Sequence, residues 1–189
     1  MKIFPRLIHV KFIKRYKRFF ADVTLNKKRV TTHCPNSGSM LGLLNENNDA
    51  WISISDNPNR KLKYTLEIIN DKKSNVGVNT HRANRIVEEA LQKKKIVELK
   101  KFSKIKREAK FSKETRFDFL LNNKNKKAFL EVKNVTLSRE KGISEFPDAI
   151  TTRGKKHLVH LQDAIKKGYE SYLLFLIQRE DVNIMKIAN

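Results

Sequence analysis

Apolar residues in the first part of the chain come in short alternating runs separated by polar punctuation. Arg6–Ile13, Phe19–Leu25, Arg29–His33, Trp51–Ser55 and Lys63–Ile69 are rich in Val, Ile, Thr and Phe. Asn26–Lys28, Pro35–Gly38, Asn45–Asp49 and Asp56–Asn59 stand between them, carrying the Asn, Gly, Pro or Asp that closes a strand. Alternation is clean in Ala21–Leu25, which predicts one buried and one wet face there. Five such strands predict a small β-barrel or sandwich, with an OB-like five-stranded barrel as the leading candidate.

Near Asn79 the period changes. Ala83, Ile86, Val87, Ala90 and Leu91 recur at helical spacing, with Thr80 placed to cap the segment. Ser103–Phe111, Phe117–Leu121 and Lys127–Val135 are strand-like again, the last two joined by the polar hairpin Asn122–Lys126. A second helix is expected after Thr151-Thr152, with Leu158, Leu161 and Ile165 as its apolar stripe and Gly168 just past its end. Tyr172–Gln178 is a continuous apolar run and reads as a strand covered on both faces. The order αβββαβ thus follows the β-only part, with a linker within Asn70–Asn79. The expectation is an α/β (α+β) chain, with a barrel over 1–75 and an α/β domain over 76–189.

With 189 residues, 39% of them hydrophobic, the chain can bury a core. Lys and Arg number 41 against 20 Asp and Glu, a formal net charge of +21. Such a surface concentrates anions, and phosphate backbones are the partner it fits. A compositional bias toward Lys, Asn and Ile, as in Asn122–Lys127, would also place Lys on any solvated face. Cys34, the single cysteine, excludes a disulfide framework and a Cys-rich metal cluster. No apolar run approaches the roughly 20 residues of a membrane span. Met1–Phe12 lacks the apolar core of a signal peptide. A cytoplasmic, nucleoid-associated protein with DNA as its partner and no membrane contact is the expectation.

Candidate chemistry lies in the second half. Glu131 and Lys133, two apart on a strand, share a face at roughly 6–7 Å along the chain, while Leu130 and Val132 pack on the other. If Phe117–Leu121 is the hairpin partner, Asp118 comes alongside. Two close carboxylates repel unless a cation lies between them, and oxygen ligands of this kind suit Mg²⁺ or Mn²⁺. Such an ion polarises a phosphoryl oxygen and acidifies a bound water, which Lys133 would orient. The acidic-x-Lys triplet alone discriminates nothing, since four occur: Asp71–Lys73, Glu98–Lys100, Glu108–Lys110 and Glu131–Lys133. Only the last follows an Asp-bearing apolar strand across a turn. The other reading of these residues is a surface ion pair along a strand edge.

Longer motifs carry a resemblance. Arg116-Phe117-Asp118-Phe119-Leu120-Leu121, Glu131–Leu137 and Phe146–His157 resemble the sugar fermentation stimulation protein family, as do Arg15–Phe19, His33–Met40, Asp56–Leu62 and Val78–His81. The likeness spans nearly the whole chain. It implies an OB-like N-terminal domain followed by a PD-(D/E)xK nuclease-like domain, DNA binding, and a role in regulating sugar-utilisation (maltose-type) genes. It puts Asp118, Glu131 and Lys133 in the nuclease motif, with Glu89 on the first helix as the candidate extra acid. Helical geometry alone does not separate Glu89 from Glu88. Family members usually continue through another helix and strand after Gln178-Arg179, so the second domain reads as shortened at its C-terminus.

Two basic clusters are candidates for DNA contact. Lys14, Arg15, Lys17 and Arg18 interleave with Tyr16, Phe19 and Phe20, as a phosphate-tracking, base-stacking surface would. A solvated strand face backed by core aromatics would look the same. Arg153, Lys155, Lys156 and His157 sit around a helix N-terminus, where backbone N–H groups favour phosphate. Arg60 and Lys61, in the Asp56–Leu62 motif, complete the set. Gly38 and Gly42 around Ser37, Ser39 and Met40 predict a tight backbone loop. His33-Cys34 does not read as a nucleophilic dyad, because adjacent strand residues point to opposite faces. His157 and His160 share a helix face without a third ligand for zinc. The leading expectation is a Mg²⁺- or Mn²⁺-dependent phosphodiesterase acting on DNA. A non-catalytic DNA-binding regulator and an RNA-binding accessory protein are the alternatives. No small-molecule cofactor is implied, and the oligomeric state, a homodimer included, is open.

Overall fold

Nearly every apolar run becomes a regular element in the computed structural model, which describes residues 6–149 and 152–188, the side chain of Arg153 excepted. The order is β1 (Leu7–Tyr16), β2 (Phe20–Leu25), β3 (Lys28–His33), β4 (Asp49–Ile54), β5 (Tyr64–Asn70), β6 (Asn75–Gly77) and α1 (Thr80–Gln92). A single 3₁₀ turn at Val97–Leu99 precedes β7 (Lys104–Lys110), β8 (Arg116–Asn122), β9 (Lys127–Val135) and β10 (Gly142–Phe146). The order ends with α2 (Thr152–Lys166), β11 (Glu170–Ile177) and β12 (Val182–Ile187). The chain divides into two units. One comprises Met1–Arg82, Asn134–Ala149 and Ile177–Asn189, the other Ala83–Lys133 and Ile150–Leu176. Among the described residues, no helix is long and apolar enough to cross a membrane.

In the first unit β1 pairs antiparallel with both β2 and β4, and β4 with β5. The barrel closes where β3 meets β5 in parallel, at His33 and Thr65. The circuit β1-β2-β3-β5-β4-β1 is that of an OB fold. Asn26 and Lys27 have φ of 50° and 63°, the left-handed pair that a two-residue hairpin turn needs. Phe12, Val23, Ile52, Leu66 and Ile69 fill the core, each burial contributing about 1.5–3 kcal/mol.

Three expectations are corrected in this unit. Asp22 does not face water; it is 1% exposed. Arg29 Nε donates to it at 2.9 Å, Thr31 Oγ1 at 2.8 Å and Tyr16 Oη at 3.2 Å, so cross-strand neighbours on the outer face close over the charge. The stretch expected as a linker contains β6, which pairs with β5. The helix cap is Asn79, whose Oδ1 accepts the His81 N–H at 3.0 Å, whereas the Thr80 hydroxyl donates to the Pro35 carbonyl.

Later segments complete this unit. β10 and β12 form a parallel pair. The Arg179 side chain is 1% exposed. It donates to Asp71 at 2.9 Å, to Asp181 at 2.8 Å and to the Thr136 carbonyl at 2.7 Å. Asp148 Oδ2 accepts the Ser39 N–H at 2.9 Å and the Met40 N–H at 3.3 Å. A Cβ on Gly38 would stand 2.5 Å from that oxygen, so any larger residue there must displace the Asp148 carboxylate from its hydrogen bonds to the loop.

The second unit is a four-stranded sheet, β11-β9-β8-β7, with a helix on each face. Ala83, Val87 and Leu91 of α1 pack on Phe119, Leu121, Ala128, Leu130 and Val132. Leu161 and Ala164 of α2 pack with Phe117 and Phe129 on the other side. The predicted stripe of α2 is corrected: Leu158 is 47% and Ile165 57% exposed. The inward face is instead His157, His160, Leu161 and Ala164, because both histidines find polar partners, Glu131 on β9 and Thr115 in the β7–β8 connection. Gly168 follows the helix with φ of 83°, as its position predicted. β11 is half-buried from Glu170 to Leu176. Tyr172, Leu174 and Leu176 meet the α1-side core and Leu173 the α2-side core.

Candidate active site

β8 and β9 pair with Phe119 opposite Leu130, so one step along the ladder Asp118 stands opposite Glu131. Each carboxylate is held from a different helical layer. Asp118 Oδ1 accepts from Asn84 Nδ2 of α1 at 2.7 Å, and Oδ2 accepts the Val132 N–H at 2.7 Å. Glu131 Oε1 accepts from Lys133 Nζ at 2.7 Å and from Nδ1 of His157 on α2. The residue is 4% exposed, and its second oxygen, Oε2, is buried without a hydrogen-bond partner.

The two carboxyls titrate in opposite directions. Burial, reinforced by the charge of Glu131, pushes Asp118 above the ordinary carboxylate value, against the Val132 and Asn84 hydrogen bonds. Burial also raises Glu131, but the His157 hydrogen bond and the nearby Lys133 charge outweigh it and hold that group below its ordinary value. An ionised Glu131 therefore makes a second charge on Asp118 costly.

Both acids line a cleft of about 820 Å³ within the second unit. Lys110, Lys113, Arg116 and Lys156 also line it, and none of the four has an ion-pair partner among the described residues. His157 and His160 form part of one wall, His160 Nδ1 meeting Thr115 Oγ1.

The donor set fits a hard divalent cation. Among the described residues, no group of three or more His, Cys, Asp or Glu side chains converges as a metal cage. Mg²⁺ does not require one, since it is ordinarily held by one or two carboxylates with water and substrate phosphate completing its shell. The orphaned Glu131 Oε2 and the disfavoured charge on Asp118 are what such an ion would relieve.

The other sequence-derived candidates are dispersed. Glu89 is paired with Lys93 one turn along α1 and does not line the cleft. Glu88 lies one turn beyond Asn84 and meets Arg107 at 3.3 Å. Arg15 is not free: its guanidinium donates to the carbonyls of Gly38 and Arg18 at 2.8 Å and to that of Asn36, tying down the loop. Arg60 donates to Thr65 at 2.8 Å. Lys14, Lys17, Arg18 and Lys61 are exposed on the barrel, Lys14 lying 5.8 Å from the Tyr16 ring centroid. Lys155 and Lys156 are exposed on α2, and the Arg153 side chain lies outside the described residues. His157 faces Glu131 rather than solvent. Asn84 was missed, although a carboxamide inside a helix is a signal, since Asn disfavours that position unless its side chain is used.

The chain is similar to known proteins along its length. A family described as "Sugar fermentation stimulation protein RE domain" matches residues 81–189, and one described as "SfsA N-terminal OB domain" matches residues 13–78. A "Sugar fermentation stimulation protein homolog" of Pelagibacter ubique is 58% identical over 188 residues, covering 100% of this chain and 81% of that protein. Its counterpart in Agrobacterium fabrum is 44% identical over 186 residues, 97% of this chain and 78% of that one. The solved structure of Pyrococcus furiosus SfsA in complex with Ca²⁺ matches with a TM-score of 0.89 at 23% identity. It covers 99% of this chain and 80% of that one, a likeness of fold.

Proposed function

We propose that this chain, which belongs to the sugar fermentation stimulation protein family, binds DNA and hydrolyses its phosphodiester bonds with a divalent cation held by Asp118 and Glu131. One observation carries the reading: a buried carboxylate oxygen without a partner, on Glu131, beside an Asp118 whose charge that same glutamate opposes. Within the second unit, which leaves out β10 and β12, the order is αβββαβ, as expected for the nuclease-like domain that the resemblance implies, and this supports it. So does the Ca²⁺ complex of the Pyrococcus furiosus relative.

When bound, Mg²⁺ or Mn²⁺ supplies Lewis-acid polarisation of a phosphoryl oxygen. Asp118 and Glu131 contribute its protein ligands. Lys133, whose side chain is 18% exposed and already fixed by Glu131, orients the attacking water and offsets charge accumulating on phosphorus. Lys110, Lys113, Arg116 and Lys156 hold the flanking phosphates at the mouth of the cleft. Lys14, Lys17, Arg18 and Lys61 give the barrel a basic surface of its own for the nucleic-acid backbone.

Nicking of supercoiled plasmid with Mn²⁺ or Mg²⁺ tests this. Asp118→Ala is expected to abolish cleavage while leaving DNA affinity nearly unchanged. If the wild type cleaves no nucleic acid with any divalent metal, the hydrolytic part is refuted. A second reading, a DNA-binding regulator of sugar-utilisation genes without catalysis, is favoured by one feature. Both oxygens of Asp118 already accept hydrogen bonds, so that acid is satisfied as it stands. Salt-dependent DNA binding without cleavage would select that reading.

A further inference from the structure

The donors around Glu131 are distributed unevenly. Two of them, Lys133 Nζ and His157 Nδ1, converge on Oε1, while Oε2 is buried with none. A carboxylate offers about four acceptor positions over its two oxygens, and leaving one oxygen dry is costly unless something else is meant to reach it. A carboxylate oxygen that already takes the Lys133 ammonium proton is the acceptor in this contact, so His157 Nδ1 is the donor. The imidazole has little freedom to follow the carboxylate elsewhere. It is 15% exposed and stands edge-on to Phe117 at 6.5 Å, and His160, one turn further along α2, is fixed by Thr115.

We propose that His157 is a positioning residue: its Nδ1–H pins Glu131 Oε1, so that Oε2 is presented to the cleft as a ligand for a divalent cation. The inference rests on the metal-dependent reading of the site. Histidine–carboxylate pairs commonly work with the imidazole on the metal and the acid behind it. Here the roles are exchanged, with the acid as ligand and the imidazole as its support. Asp118 is braced in the same manner by Asn84, a neutral donor from the opposite helical layer. Removing such a supporting hydrogen bond ordinarily weakens metal affinity about 10–100-fold.

Calorimetric titration of the full chain with Mn²⁺ alone, without nucleic acid, separates the possibilities. His157→Phe keeps the ring packed on Phe117 but removes the donor, and is expected to weaken Mn²⁺ binding by about tenfold or more. His157→Asn places an amide N–H near the position of Nδ1 and is expected to restore most of the affinity. Thermal melting of each variant checks folding, and His157→Leu replaces the Phe variant if that one does not fold. Equal Mn²⁺ affinity of wild type and the donor-less variant overturns the positioning role and leaves the metal site standing. Equal loss in the Asn and donor-less variants overturns hydrogen-bond donation as the means. A blank titration for the wild type, matched by Asp118→Asn, removes the metal-dependent reading and this inference together.

Discussion

Each unit of the molecule buries a glutamate, and the two are treated differently. Glu67, on β5 of the barrel, is 1% exposed and fully satisfied. Ser53 Oγ donates to it at 2.6 Å, Asn79 Nδ2 at 2.8 Å, and Arg82 through two nitrogens at 2.9 and 3.2 Å. Glu131, at 4%, has an oxygen with no partner and another carboxylate beside it. A buried acid whose acceptors are all filled fixes a structure. One left short, next to a like charge, is arranged for something that arrives later.

Breaking the first glutamate should have the largest effect. Glu67→Ala removes the buried acceptor that Ser53, Asn79 and Arg82 share and is expected to cost about 3–5 kcal/mol in urea unfolding, with Mn²⁺ making no difference to the loss. A cost below about 1 kcal/mol, typical of an exposed pair, would erase the contrast.

Asp118→Asn sharpens it from the other side. The folded carboxyl is raised above its ordinary value, so ionisation at neutral pH opposes folding, and removing the charge relieves that opposition. The variant is expected to lose nicking by about 10²–10³-fold yet melt higher than the wild type without metal. A lower melting temperature would mean that the Asn84 and Val132 hydrogen bonds need the charge more than burial penalises it.

Neutralising Lys110 and Lys156 together is expected to lower the salt slope of DNA binding by about one unit for each phosphate no longer neutralised. An unchanged slope would move the DNA-binding surface away from this cleft. The smallest effect concerns Glu170, which hydrogen bonds from Lys101, Tyr172 and Lys126 hold down to about 2. Its folded value lies below the unfolded one. Its contribution is therefore present above the ordinary carboxylate value and is lost only as pH falls through about 2. Glu170→Gln is expected to be slightly less stable than the wild type at pH 7, with the difference closing as pH falls through about 2 and the wild-type carboxylate is protonated.

Sequence periodicity carried the fold where one period ran undisturbed. β9 begins and ends where its alternating run does, and the α1 stripe Ala83, Val87, Leu91 is the buried one. It misled where polar side chains face inward. The sheet-facing side of α2 is half histidine, so counting apolar positions rotated the helix toward Leu158 and Ile165. β10 and β12 are short, and they pair across about forty residues of chain that no local pattern reports. The Asp118, Glu131 and Lys133 constellation was legible because strand geometry dictates it. Its braces, Asn84 and His157, come from helices whose rotation only the packed sheet decides. The loop role of Arg15 was hidden for a related reason: a guanidinium that satisfies loop carbonyls looks, in sequence, like one waiting for phosphate.

Arg179 sets a timetable for synthesis. Its partner Asp71 lies 108 residues earlier, and at the usual 5–20 residues per second that is a delay of about 5–20 s on the ribosome. Throughout that interval the nascent barrel holds Asp71 without its guanidinium, and the entire second unit must emerge before the clasp closes. Chains stalled just before and just after Arg179 leaves the exit tunnel should therefore differ sharply in protease resistance around Asp71, although every barrel strand is present in both.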